Sequence, residues 1–208
     1  KLFGLLDGWD CQVIDTRVAF ERTGRLFSSV GFRWKWGPLL TRINQQILEE
    51  MTGSYDLVWV DKAAFVYEKT TRRLQDRAEK LVHYTPDAAF YENQSRHFVA
   101  SLPLYDYAVT TKSYEREEYL EHIPAERLLL TTQGFDKDVH RPHHAFAEKT
   151  NAVVFIGLRE AWRERVARVL LDSGITVRVG GPGWKRFAGE YSDDSGMDYL
   201  GEFVGDDD

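Results

Sequence analysis

The stretch Val153–Trp184, VVFIGLREAWRERVARVLLDSGITVRVGGPGW, constrains the fold more than any other part of the chain. It is an apolar run ending in glycine, an amphipathic helical pattern, and a second apolar run ending in Gly-Gly-Pro-Gly-Trp. Two strands joined by a helix of this length pair in parallel through a right-handed crossover. In an open parallel sheet, ligands sit beyond the carboxyl ends of the strands, and that is where Gly157 and Gly180–Gly183 fall. Gly157 lets the chain turn into a helix starting near Arg159, whose free N–H groups and dipole favour an anion. The loop after the second strand offers bare backbone beside the Trp184 ring, a place for a flat heterocycle. Packing alone also explains a glycine at the end of a strand, and both explanations stand on the sequence.

The same alternation runs through the earlier part of the chain. The spacing predicts a short strand over Gln12–Asp15 and a helix over Pro38–Met51. In that helix Pro38 is at the first position, Gly53 lies just past the end, and Leu40, Ile43, Ile47 and Met51 form one stripe. Tyr55–Val60 reads as a strand, Tyr67–Lys80 as a helix, and Leu81–Tyr84 and Tyr107–Thr110 as strands. Ser113–Glu121 reads as a short helix and Leu128–Thr131 as the last strand of this half. The short apolar strands match a sheet covered by helices on both faces. The expectation is an α/β chain with two Rossmann-like, doubly wound parallel-sheet domains. They occupy residues 1–141 and 152–208, with the aperiodic 142–151 as the connection. The start at Lys1 and the stop just after the apolar run Tyr199–Val204 read as cut ends. On that reading the first domain lacks its first strand and the second is truncated.

Charge and cysteine usage exclude several classes. The net charge is −6 and no Lys/Arg stripe stands out, which argues against a nucleic-acid partner. No apolar run is long enough for a transmembrane helix. Cys11 is the sole cysteine, so neither an internal disulfide nor a cysteine-based zinc site is available, and a reducing, cytoplasmic setting fits. His140, His143 and His144 match no metal-ligand spacing, and no metal is expected. The chain has neither a G-x-G-x-x-G turn nor a G-x-x-x-x-G-K-[ST] loop, which weighs against a dinucleotide dehydrogenase.

The segment Thr131-Thr-Gln-Gly-Phe-Asp-Lys-Asp-Val-His-Arg-Pro142 resembles the one that closes the first domain of two-domain GT-B glycosyltransferases. YDLVWVDK (55–62), LVHYTPDAAFYENQS (81–95), YDYAVTTK (105–112), VVFIGLREAWR (153–163) and ITVRVGGPGW (175–184) follow in the order and spacing of the spore-maturation (CgeB-like) branch. The resemblance covers roughly residues 40 to 205. It implies metal-independent transfer of a sugar from a nucleotide-sugar donor to an acceptor hydroxyl. The first domain would serve the acceptor and the second the donor, and the later motifs that complete the donor site would lie beyond residue 208. No bound cofactor is implied. Two other classes stay open: a non-catalytic sugar- or nucleotide-binding module, and a Rossmann-type oxidoreductase or methyltransferase.

Asp87, after Pro86 at a strand end, is the candidate to accept a proton from an acceptor hydroxyl; a turn or cap role is the alternative. His83, inside the strand, reads as a core histidine or a second cleft residue. Lys62 and Lys112, each just past a strand, are cations for a phosphate or an acidic acceptor, or solvated strand-end lysines. Gly134 brings backbone toward the donor phosphates, with Asp136 capping the turn after it. Gly157, Arg159, Gly181, Gly183 and Trp184 make up the donor side, and Arg163 pairs with Glu160 or Glu164 on a solvated face. Glu115–Glu118 reads as a solvated acidic patch.

Overall fold

The computed structural model describes residues 8–91, 94–134, 140–142, 144–192 and 195–202, and the chain divides into two compact units, 1–135 and 136–208. The first unit opens with α1 (Arg17–Glu21), α2 (Arg25–Trp34) and α3 (Pro38–Glu50). Pro38 starts α3 because its missing N–H costs nothing in the first turn, and Gly37 supplies the φ of +100° that turns the chain into it. Leu39, Leu40, Ile43 and Ile47 form its buried stripe.

Four parallel strands follow: β1 (Tyr55–Asp61), β2 (Ala78–Thr85), β3 (Tyr107–Thr110) and β4 (Leu128–Leu130), hydrogen-bonded in the order β1-β2-β3-β4. They are joined by α4 (Glu68–Gln75), α5 (Arg96–Ser101) and α6 (Arg116–Leu120). The core pairs Val58, Val60, Leu81, Ala108 and Leu128 of the sheet with Ile43 and Ile47 of α3, Leu74 of α4, Phe98 of α5 and Tyr119 of α6. These strand residues all point to one side of the pleat, so among the described residues the helices pack on one face. The other face carries Trp59, Val82, Tyr107, Val109 and Leu129, of which Trp59, Tyr107 and Leu129 are exposed. The strand order shows no reversal, as befits crossovers of one hand that all lie on one side. Helices on both faces, as expected from the apolar runs, are therefore not what the described residues form.

Two local expectations are corrected. Gln12–Asp15 forms no strand. It is tied down by side chains: Gln12 Nε2 donates to the Glu50 carbonyl (2.9 Å), Tyr55 Oη to Gln12 Oε1 (2.6 Å) and Gln46 Nε2 to the Asp15 carbonyl (3.1 Å). The helix expected to reach Lys80 stops at Gln75, because Ala78–Lys80 already pair with β1, Ala78 opposite Tyr55 and Lys80 opposite Leu57. Ala, Glu and Lys are good helix formers, so propensity misplaces this boundary and sheet pairing decides it.

The second unit holds β5 (Ala152–Ile156), α7 (Ala161–Asp172), β6 (Thr176–Gly180), α8 (Trp184–Ala188) and β7 (Met197–Gly201). Its three strands are parallel in the order β5-β6-β7. Ala167 and Leu171 of α7 close over Val177, Val179, Trp184 and Phe187. The whole chain is α/β with parallel sheets.

Candidate functional site

A parallel sheet delivers every strand's carboxyl end to one edge, so the loops after β1, β2 and β3 are neighbours in the first unit. Lys62 follows β1 with φ +51°, a left-handed conformation rare outside glycine. Its N–H donates to the Tyr84 carbonyl (2.9 Å), which extends the ladder by one residue. Its ammonium lies 2.8 Å from Asp87 Oδ2, and this carboxylate partner raises its pKa. Both partners are well exposed, so the pair's contribution to stability is small. Asp61 beside them has a raised pKa, first from partial burial, then from the balance of Lys62 pulling it down and Asp87 pushing it up. Thr85 folds the loop back: its hydroxyl accepts from the Asp87 N–H (3.1 Å) and donates to the Asp87 carbonyl (3.2 Å).

Glu115 then fixes the loop from below. Its carboxylate accepts from the N–H groups of Ala89 (3.0 Å) and Phe90 (2.8 Å), and the side chain is buried. The sequence places Glu115 in an acidic, solvated run, and this is corrected: the residue supports the Asp87 loop. The signal the sequence held is spacing alone: Glu115 lies four residues before Tyr119 on one helical face, and the structure buries both. Thr111, after β3, donates to the Pro86 carbonyl (3.1 Å), joining the third loop to the second. Lys112 follows it, half-buried at the same edge.

His83 is buried, with its ring against Phe98 (4.6 Å between centroids) and Tyr105 (5.5 Å). Neither ring nitrogen has a hydrogen-bond partner among the described residues. Burial pushes its pKa down to about 3; the nearby Val60 backbone offsets this only in part and lies outside hydrogen-bonding geometry. His83 also borders a cavity of about 10 Å³, shared with Lys62 and Thr85 and the size of a single water. It is therefore neutral at physiological pH. The unfolded chain takes up this proton near pH 6.5 and the folded chain does not, so stability is lost as pH falls from about 6.5 toward 3. At pH 5 the loss is about 2 kcal/mol. Urea unfolding at pH 7 and pH 5 should show it, and His83→Leu should remove this part of the slope. An unchanged slope in the variant would place the imidazole in contact with solvent.

In the second unit, the glycine ends of β5 and β6 pack on each other. The Gly157 N–H donates to the Gly180 carbonyl and the Arg159 N–H to the Pro182 carbonyl, both at 2.9 Å. A Cβ on Gly181 would lie 2.7 Å from the Gly157 carbonyl oxygen, and one on Gly183 would lie 3.3 Å from Arg159 Cβ. Trp184 is 1% exposed and donates from Nε1 to that same Gly157 oxygen (2.8 Å). Its ring packs against Phe155 and Phe187, so its faces are occupied by the core and are not open to a base. The close approach of two backbones is thus the structural use of Gly157 and Gly181. Arg159 Nε donates to Glu164 Oε2 (2.6 Å), and Glu160 lies 3.1 Å from Arg163 Nε. Two carboxylates therefore already flank the positive end of α7.

The chain matches no protein-family model, and no curated protein matches it either. The structure brings Lys62, His83 and Asp87 together in the first unit, with Lys112 at the same sheet edge. It brings Gly157, Arg159, Gly181, Gly183 and Trp184 together in the second. Gly134 is exposed, and a Cβ there would meet nothing. Asp136 and His143 lie outside the described residues. Among those described, no group of three His, Cys, Asp or Glu side chains is placed to hold a metal ion.

Proposed function

We propose that the chain carries the acceptor-side unit and the opening of the donor-side unit of a GT-B-like, metal-independent glycosyltransferase. The observation that carries this reading is the Asp87 carboxylate at the carboxyl edge of the first sheet. It is held in a defined turn by Thr85, braced through Glu115 and joined to Lys62. In the proposed step the acceptor hydroxyl gives its proton to Asp87 while its oxygen bonds to the anomeric carbon. The bond from that carbon to the phosphate oxygen breaks, and the nucleoside diphosphate leaves with the electron pair. Lys62 orients the carboxylate, and Arg159 meets the donor's phosphates in the second unit. Such a role requires Arg159 to exchange Glu164 for the donor.

A thermal-shift panel tests the reading, on a chain that carries the complete donor-side unit, with UDP, GDP, dTDP, ADP, CMP, NAD and S-adenosylmethionine. A ligand that binds only the native state stabilises it by about 2.7 kcal/mol at a hundred times its Kd. One nucleoside diphosphate should raise the melting temperature. A shift with NAD or S-adenosylmethionine alone would overturn the reading, as would no shift with any of them.

A further inference from the structure

From Arg22 to Leu48 the chain contains no Asp or Glu, yet it carries Arg22, Arg25, Arg33, Lys35 and Arg42 in a protein of net charge −6. The helix α2 lies within this stretch. One of its sides faces the protein, because Gly31 packs so closely on α3 that an added Cβ would meet Leu39 Cβ at 2.7 Å. Leu26, Val30 and Trp34 recur at intervals of one helical turn and form an apolar ridge, flanked by Phe27 on the side toward Gly31. That ridge is open: Leu26 is 73% exposed, Phe27 53% and Trp34 64%. Lys35 ends the helix in a left-handed conformation, and Trp36, 64% exposed, comes directly after it. Single exposed apolar side chains are ordinary on a protein surface. A contiguous group of large ones rimmed by cations marks an interaction surface.

The charges divide into two kinds. Lys35 is internal: it is buried, and its ammonium sits 4.5 and 4.6 Å from the ring centroids of Phe32 and Phe65. Arg22, Arg25, Arg33 and Arg42 are exposed, and Arg42 donates to the Arg22 carbonyl. Exposed Arg96, from α5, joins Arg33 and Trp34 in lining an open cleft of about 620 Å³.

We propose that this face docks on an anionic lipid bilayer. Leu26, Phe27 and Trp34 enter the boundary between headgroups and acyl chains, and Arg25, Arg33 and Arg96 meet the lipid phosphates. Charge complementarity selects this occupant. A second copy docking face to face would bring the same arginines together. A nucleic acid would use the cations and leave the aliphatic Leu26–Val30 part of the ridge in water. Lying on the surface calls for no spanning helix, and among the described residues no helix is long and apolar enough to cross a membrane.

Co-sedimentation tests the proposal with vesicles of phosphatidylcholine alone and vesicles of phosphatidylcholine mixed three to one with phosphatidylglycerol. The chain should pellet with the mixed vesicles, be released by raised salt, and stay in solution with neutral ones. Joint replacement Phe27→Ala and Trp34→Ala should weaken partitioning about tenfold or more, through lost apolar insertion. Arg25→Glu with Arg33→Glu should weaken it by at least about fivefold per arginine. All four side chains are exposed, and thermal melts of each variant check that the fold is kept. Absence of binding, equal binding to neutral vesicles, or binding indifferent to the ridge variant would overturn the proposal. So would a dimer in sedimentation velocity that the ridge variant dissolves while vesicles go unbound.

Discussion

Alanine at Gly181 should destabilise the second unit by about 3 kcal/mol or more, from backbone strain and overpacking combined. Gly181 has φ +106°, and a Cβ there would lie 2.7 Å from the Gly157 oxygen and 3.1 Å from both the Gly157 carbon and nitrogen. These are backbone atoms, so no flexible side chain can swing aside. The Gly157 backbone is also fixed, because its N–H donates to Gly180 and its oxygen accepts from Trp184 Nε1. Gly181 is itself tied to β7 through its N–H and the Gly201 carbonyl (2.8 Å). Relief of the overlap therefore means breaking the β5–β6 or β6–β7 ladder, or expelling Trp184 from the core. Gly174→Ala is the matched control, since Gly174 has φ +74° but nothing within 4 Å of an added Cβ. It should cost only the left-handed strain of about 1 kcal/mol. Calorimetry of both variants separates the two costs: in a unit of this size, 1 kcal/mol moves the transition by about 4–8 °C. Equal shifts for Gly181→Ala and Gly174→Ala would mean that the two backbones are not in contact.

That contact also explains how far the sequence could be read. The strand–helix–strand pattern of Val153–Trp184 was legible because its periodicities are local: strand, turn and helix each show in a few residues. The reason for the glycines was not, since it depends on the distance between the ends of β5 and β6, which lie far apart in sequence. Trp184 failed in the same way. A tryptophan after Gly-Gly-Pro-Gly looks exposed until the Gly157 carbonyl is seen to need a donor and Phe155 and Phe187 to need a partner. In the first unit, Asp87 and Lys62 could be placed at the sheet edge from their position after apolar runs, but their contact comes from the β1–β2 register. Glu115 was hidden by composition, since its acidic neighbours Glu117 and Glu118 made one buried carboxylate look like part of a solvated run. The basic, acid-free stretch around α2 was likewise masked by a negative total charge, although a window scan of charge along the chain shows it directly.

On the proposed reaction, Asp87→Asn should lower turnover by about 10²–10⁴-fold, the range for removing a general base. The amide keeps the shape and can still accept from a donor, but it cannot take the acceptor's proton, so the loss belongs in kcat with KM little changed. The surroundings make the comparison clean. The Asp87 turn is held through backbone bonds to Thr85, and Glu115 holds the N–H groups of Ala89 and Phe90, so removing one carboxylate charge leaves the loop anchored. Asp61→Asn is the informative neighbour. Its carboxyl is raised by partial burial and by Asp87, and neutralising it removes a negative charge beside Asp87 without touching the Thr85 turn. If Asp87 is the base, Asp61→Asn should change turnover by less than about tenfold, because the proton-accepting carboxylate is left in place. If the losses are reversed between the two variants, the proton goes to Asp61, and Asp87 serves to hold Lys62. Full turnover in both would take the chemistry away from this edge of the sheet altogether.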